Sequence, residues 1–152
     1  MIVLQVLASD DWPLWRELRL RALAEAPYAF GSRLDDWETA DEERWCERLD
    51  LADSRNLIAR MGGAPVGMAT GVVVDGVYEL ISMWVAPEAR GVGVGNALVA
   101  GVCEWARERG AREVRLDVVQ TNAHAIALYV RHGFVDVGPS RDVGERAMVK
   151  VL

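Results

Sequence analysis

Apolar positions recur along this chain with two different periods, and the switches between them mark out the elements. Residues 2–7 (IVLQVL) are an apolar, β-rich run that predicts a first strand. Ser9 or Asp10 can cap a helix running to about Glu25, with Pro13 in its first turn, and Leu14, Trp15, Leu18 and Ala22 as its buried stripe. Pro27 ends it, and Asp35–Leu49 reads as a second helix with Trp37, Trp45 and Leu49 available for packing. Three strands follow, Asn56–Met61, Pro65–Val74 and Val77–Val85, separated by Gly62-Gly63 and by the two-residue hairpin signal Asp75-Gly76. The helical period then returns at Val94, Ala97, Leu98, Gly101, Val102 and Trp105, giving a helix to about Arg109 that Gly110 terminates. Glu113–Val119 alternates, with Val114, Leu116 and Val118 on one side. Asn122–His132 is a short helix stopped by Gly133, and Phe134–Val137 and Arg146–Leu152 close the chain as strands. The predicted order is βααβββαβαββ: an antiparallel meander followed by a parallel, right-handed strand–helix–strand unit. That is an α+β fold with a mixed sheet of about seven strands and four helices, in one domain over residues 1–152.

Composition narrows the function. The 152 residues are 51% hydrophobic and 26% charged, as in ordinary globular chains. The net charge of −6 argues against a nucleic-acid backbone as partner. No apolar run is long enough to span a bilayer, and Met1–Gln5 carries no basic leader, so a cytoplasmic protein with no membrane partner is expected. Cys46 and Cys103 stand far apart and read as reduced, packed thiols. With His124 and His132 as the only histidines, no metal site is expected. Between Arg33 and Asp50, eight acidic residues stand against three arginines. This stretch is either a solvated helix face or a rim that attracts a cationic substrate.

The chemistry concentrates at Val85-Ala86-Pro87-Glu88-Ala89-Arg90-Gly91-Val92-Gly93-Val94-Gly95-Asn96, where a strand ends, glycines turn the chain and an amphipathic helix starts. Backbone N–H groups at such a turn have no intrahelical partner, and the helix dipole adds positive potential, so a phosphate fits there. A P-loop is rejected because Gly95-Asn96-Ala97 stands where Gly-Lys-Ser/Thr is needed. A dinucleotide fingerprint fits poorly: Asn96 replaces its last glycine and the turn comes after a meander.

The remaining reading is an acetyl-CoA turn. From Glu79 to Leu98 the sequence resembles motif A of the GNAT N-acetyltransferases, with Arg90-Gly91-Val92-Gly93-Val94-Gly95 matching their R/Q-x-x-G-x-G/A signature. A second block, Asn122-Ala123-His124-Ala125-Ile126-Ala127-Leu128-Tyr129-Val130-Arg131-His132-Gly133-Phe134, resembles motif B of the same family. Two motifs in the right order, with the expected helix and strand between them, make the resemblance specific over about Val66–Phe134. It implies the GNAT fold, acetyl-CoA as co-substrate, no metal, and an amine acceptor on a small molecule or peptide, with a homodimer allowed. It implies main-chain contacts to the pantetheine arm from Met83, Trp84 and Val85. It further implies a pyrophosphate site over Arg90, Gly91, Val92, Gly93, Val94, Gly95 and Asn96, and a hydrogen bond from Asn122.

Two side chains carry the expected chemistry. Glu79 is the candidate base, placed by alternation on one face with Ile81, Met83 and Val85; its alternative is an uninvolved strand-edge carboxylate. Tyr129 is the candidate acid toward the leaving thiolate; its alternative is a packed core aromatic. His124 and His132 read as surface polar groups, Ser82 as a fit to a tight spot, and most tryptophans as core. Tyr28, Phe30 and Trp84 are candidates to face the acceptor. The leading function is acetyl transfer to an amine. The alternative is a non-catalytic acyl-CoA-binding module, and a nicotinamide-dependent oxidoreductase ranks last.

Overall fold

The computed structural model describes residues 1–29 and 33–152, without the side chain of Tyr28; Phe30 lies outside the described residues, so the expectation for these two side chains is not addressed. The strands are β1 (Ile2–Leu7), β2 (Ser54–Met61), β3 (Ala64–Val74), β4 (Val77–Val85), β5 (Glu113–Val119), β6 (Val135–Pro139) and β7 (Glu145–Val151). The helices among the described residues are α1 (Trp12–Glu25), α2 (Leu34–Glu38), α3 (Glu42–Leu49), α4 (Val94–Glu108) and α5 (Ala123–Arg131). One sheet has the order β1-β2-β3-β4-β5-β7-β6, antiparallel throughout except for β4–β5. The α+β architecture, the mixed sheet and the meander agree with the sequence reading.

The predicted helix over Asp35–Leu49 is two helices instead of one, so the described chain has five. Asp41 is extended (φ −81°, ψ 173°) and its carboxylate accepts from Arg44 N at 2.9 Å, so it caps a new helix instead of continuing the old one. All eight acidic residues of this stretch are exposed, while Trp37 and Trp45 turn inward and meet at 4.8 Å between ring centroids, tilted by 47°.

Helix α4 lies on one face of the sheet. Two glycines of β3 allow its close approach: a Cβ on Gly71 would sit 2.5 Å from the Trp105 ring, and one on Gly67 would sit 3.0 Å from Leu98 and Val94. Helix α5 runs beside α4, with Leu128 so close to Gly95 that a Cβ there would meet it at 3.0 Å. Helices α1 and α3 cover the opposite face of β3, where Trp15, Leu18, Trp45 and Met68 are fully buried. No helix among the described residues is long and apolar enough to cross a membrane, and no cluster of three or more metal-ligating side chains occurs among them.

Candidate active site

The site forms where β4 leaves its neighbours. Its antiparallel pairing to β3 slips between Met68–Trp84 and Thr70–Ile81, so β4 carries an extra residue there. Ser82 absorbs the bulge with φ +55°, a left-handed conformation that costs a non-glycine residue energy. The bulge reverses the alternation. Leu80 pairs with Gly71 and Val85 with Gly67, so both face α4, whereas Ile81 and Trp84 pair with Thr70 and Met68 on the α1–α3 face. The expectation that Glu79, Ile81, Met83 and Val85 share one face is therefore corrected. Glu79 and Ile81 lie with Trp84, and Met83 points to the α4 side, its Cε 3.7 Å from where a Cβ on Gly95 would stand.

β4 also parts from β5. The two parallel strands are paired at Glu79–Arg115 and nowhere beyond it. Past that rung a cleft of about 690 Å³ opens between them, lined by Met83, Trp84 and Val85 on one side and Val118, Asn122 and Tyr129 on the other. At its far end stands the glycine turn. Gly91 (φ +80°) and Gly93 (φ +97°) both occupy the left-handed region, and Gly93 caps the N-terminus of the 15-residue α4. Arg90, Gly91, Gly93, Gly95 and Asn96 line the cleft; Val92 is exposed at the turn and Val94 is buried in the core.

Some of these residues have a second task. Arg90 folds back, its Nε donating to Val85 O at 3.0 Å and its Nη2 to Glu25 Oε2 at 2.9 Å, so it staples the turn to β4 and α1. The same carboxylate oxygen accepts from Trp84 Nε1 at 2.9 Å, which pins the indole to α1. These donors hold the Glu25 carboxyl below its usual range, the Trp84 hydrogen bond contributing most. Asn122 caps α5 by accepting from Ala125 N at 3.2 Å, which leaves its amide NH₂ for the cleft. His132, expected to be a plain surface group, meets Asn96 Oδ1 at 2.9 Å and ties the end of α5 to the start of α4. Tyr129 is 6% exposed, with its ring edge-on to Phe134 at 5.8 Å. Its hydroxyl has no hydrogen bond among the described residues, and burial pushes its pKa above the ordinary phenol value.

A second cavity of about 280 Å³ lies on the α1–α3 face. It shares Ala29, Leu80, Ile81, Ser82 and Asp117 with the cleft, so the two spaces meet at the bulge. Trp15, Trp37 and Trp45 line it, with Arg19 and Arg48 on one side and Asp117, Asp142 and Glu145 on the other. Glu79 lines neither cavity. It is half-buried one rung away from Asp117, and burial followed by the charge of Asp117 raises its carboxyl pKa. Sequence reasoning missed Asp117, Arg48, Asp142 and Glu145. Asp117 had a signal: on β5 it alternates with buried Leu116 and Val118, which puts it on the sheet's other face. The other residues had none.

The acetyltransferase (GNAT) family model matches residues 12–134. The chain is 30% identical over 135 residues to the mycothiol acetyltransferase of Clavibacter sepedonicus, an alignment covering 89% of this chain and 43% of that protein. It thus spans less than half the length of that relative. In structure it resembles a GNAT-family acetyltransferase of Streptococcus pneumoniae (TM-score 0.84, 19% identity, covering 100% of this chain and 99% of that one). It also resembles the PaiA N-acetyltransferase of Thermoplasma acidophilum, solved with coenzyme A (TM-score 0.78, 19% identity, 100% and 99% covered). At those identities the structural likenesses establish the fold. With the family model spanning both glycine turn and α5, the chain belongs to the acetyltransferase (GNAT) family.

Proposed function

We propose that this protein transfers the acetyl group of acetyl-CoA to a primary amine of a small molecule or peptide. The observation that carries the reading is the splayed β4–β5 cleft, which joins unpaired strand backbone at Met83–Val85, a turn with two positive-φ glycines and a buried tyrosine in one continuous space. Unpaired strand edges suit the amides of a pantetheine arm. The N–H groups at Gly91–Asn96 and the dipole of α4 suit a pyrophosphate. Two carboxylates near that turn are already engaged, Glu25 by Arg90 and Trp84 and Glu88 by Arg21.

In this reading the amine enters from the α1–α3 face and its nitrogen adds to the thioester carbon. The amine proton passes to the carboxylates at the junction, the C–S bond breaks, and the sulfur takes a proton from Tyr129. Glu79 serves as the base with Asp117 between it and the cavities. Burial, followed by the nearby charge of Asp117, raises the Glu79 carboxyl pKa, the direction that suits a base. Tyr129 is suited to donate because burial keeps its phenol protonated and its hydroxyl has no competing acceptor among the described residues.

Mixing the protein with acetyl-CoA and a panel of amines, and following free thiol, tests this. Thiol release that depends on an amine is the expected result. Binding of CoA with no amine-dependent release from any acceptor would leave a binding module and overturn the transferase reading.

A further inference from the structure

The cavity on the α1–α3 face has two electrical sides, and one of them is out of keeping with its surroundings. Helix α3 belongs to the most acidic stretch of the chain, yet the charged side chain that it turns into the cavity, beside Trp45, is Arg48. Arg48 donates from Nη1 to Asn56 Oδ1 at 2.9 Å and from Nη2 to Thr70 Oγ1 and Ser82 Oγ, each at 3.0 Å. All three acceptors are neutral, and no carboxylate pairs with Arg48 among the described residues. A guanidinium has five N–H donors, so two are left over.

The surroundings add positive potential. Arg48 sits over the Trp15 ring at 5.0 Å. Arg19, on the same wall, lies close enough for the Arg48 charge to act on it. Burial brings both guanidinium pKa values down to about 10. The indole N–H groups of Trp15 and Trp45 are sealed in this wall with no acceptor among the described residues. A partly buried cation without a counter-charge is costly, and folds rarely retain one without use. The cavity also has acidic lining: Asp117 stands where it meets the cleft, and Asp142 and Glu145 line the cavity alone. Negative charge at Asp117 therefore borders the junction, and the Arg48 charge, with no carboxylate partner among the described residues, lines the same cavity of about 280 Å³, close to the lower limit for small-molecule sites, and reaches the bulge through Ser82 Oγ.

We propose that the acceptor is a small zwitterion, an amino acid or a molecule built like one, whose carboxylate is bound by Arg48 while its amine stands at the Asp117 wall beside the thioester. This rests on the transferase reading and specifies its substrate. The neutral acceptors that hold Arg48 fix its orientation without neutralising it, which is what recognition of an incoming carboxylate requires. Because Arg48 also holds Ser82 Oγ, a bound carboxylate would be linked through one side chain to the bulge that shapes the junction.

The test uses phenylalanine, leucine and glutamate, each against its α-amide and its decarboxylated amine. kcat/KM is measured by thiol release, and binding by calorimetry on wild-type protein saturated with CoA. The expected result is a preference of about 10- to 100-fold for at least one amino acid over its amide and amine, the size of a charge-assisted hydrogen-bonded pair. That preference should collapse toward unity in Arg48→Met and recover in part in Arg48→Lys, with a circular-dichroism melt establishing that each variant folds. Should the variants not fold, the wild-type ratios decide alone. Amides and amines used or bound as well as every amino acid would overturn the proposal. If no amine releases thiol, the transferase reading falls, and calorimetric preference for the carboxylate still decides this one.

Discussion

The two faces of β4 solve binding in different ways. On the α4–α5 face the cleft is built largely from main chain: two positive-φ glycines, a helix N-terminus, and a strand edge exposed where β4 leaves β5 after Glu79–Arg115. On the α1–α3 face the cavity is built from side chains drawn from distant segments: Trp15 and Arg19 of α1, Arg48 of α3, Asp117 of β5, and Asp142 and Glu145 near β7. A backbone site demands particular residue types at fixed spacing, because glycine alone adopts these conformations cheaply. A side-chain site can be supplied from anywhere that reaches. The first face thus suits a ligand held constant, and the second can vary in its lining while the first stays the same.

The sharpest way to break this contrast is to give the backbone site a side chain. Gly93→Val forces a β-branched residue into φ +97° at the helix cap, with its Cβ 3.7 Å from Ile2 Cδ1, and so distorts the turn. Strain of about 1–2 kcal/mol leaves the fold intact, while CoA affinity by calorimetry should drop about 100-fold or more with the lost N–H contacts. Unchanged affinity would mean that the turn does not hold the pyrophosphate.

Next in size is Tyr129→Phe, which keeps the ring against Phe134 and removes the hydroxyl. On the proposed role of Tyr129 as acid toward the leaving thiolate, kcat should fall about 10- to 100-fold with CoA affinity unchanged. A kcat within twofold of wild type would make Tyr129 a packing residue.

A smaller effect with a definite sign belongs to the carboxylates. Glu79→Gln should lower kcat/KM about 10-fold at neutral pH and move the ascending limb of its pH profile toward the pKa of the free amine. Asp117→Asn should move that limb to lower pH, because removing the neighbouring negative charge lets Glu79 ionise sooner. A loss that is the same at every pH would assign Glu79 to positioning instead of proton transfer.

The smallest expected effect is at Glu25, the latch between the two faces. Its folded-state pKa is depressed, so it stabilises the protein above the unfolded carboxylate pKa, and that contribution fades as pH falls through the lower, folded value. Because the Arg90–Glu25 pair is partly exposed (46% and 27%), the contribution is below about 1 kcal/mol. Urea unfolding of wild type and Glu25→Gln should differ by that amount at neutral pH and converge in acid. A difference that persists in acid would assign the effect to packing of the Trp84 indole.

The sequence by itself determined the order of elements, the meander, and the glycine turn followed by α4, since each depends on local periodicity or on conformations restricted to glycine. It also marked Asn122 and Tyr129, which sit in the same space as the turn. Only the tertiary structure decided the rest. The bulge at Ser82 reversed the face of every β4 residue beyond it, and a serine at φ +55° leaves no trace in a pattern of apolar positions. Asp41 split one predicted helix in two, because a cap depends on whether its carboxylate reaches a backbone N–H. Arg48 was one charge among many in an acidic stretch. It became an inward-facing cation because α3 lies across β3, where Thr70, Asn56 and Ser82 meet it. Periodicity reports which side of an element is apolar. It cannot report which distant polar groups converge once the elements pack, and the cavity on the α1–α3 face is made of such convergences.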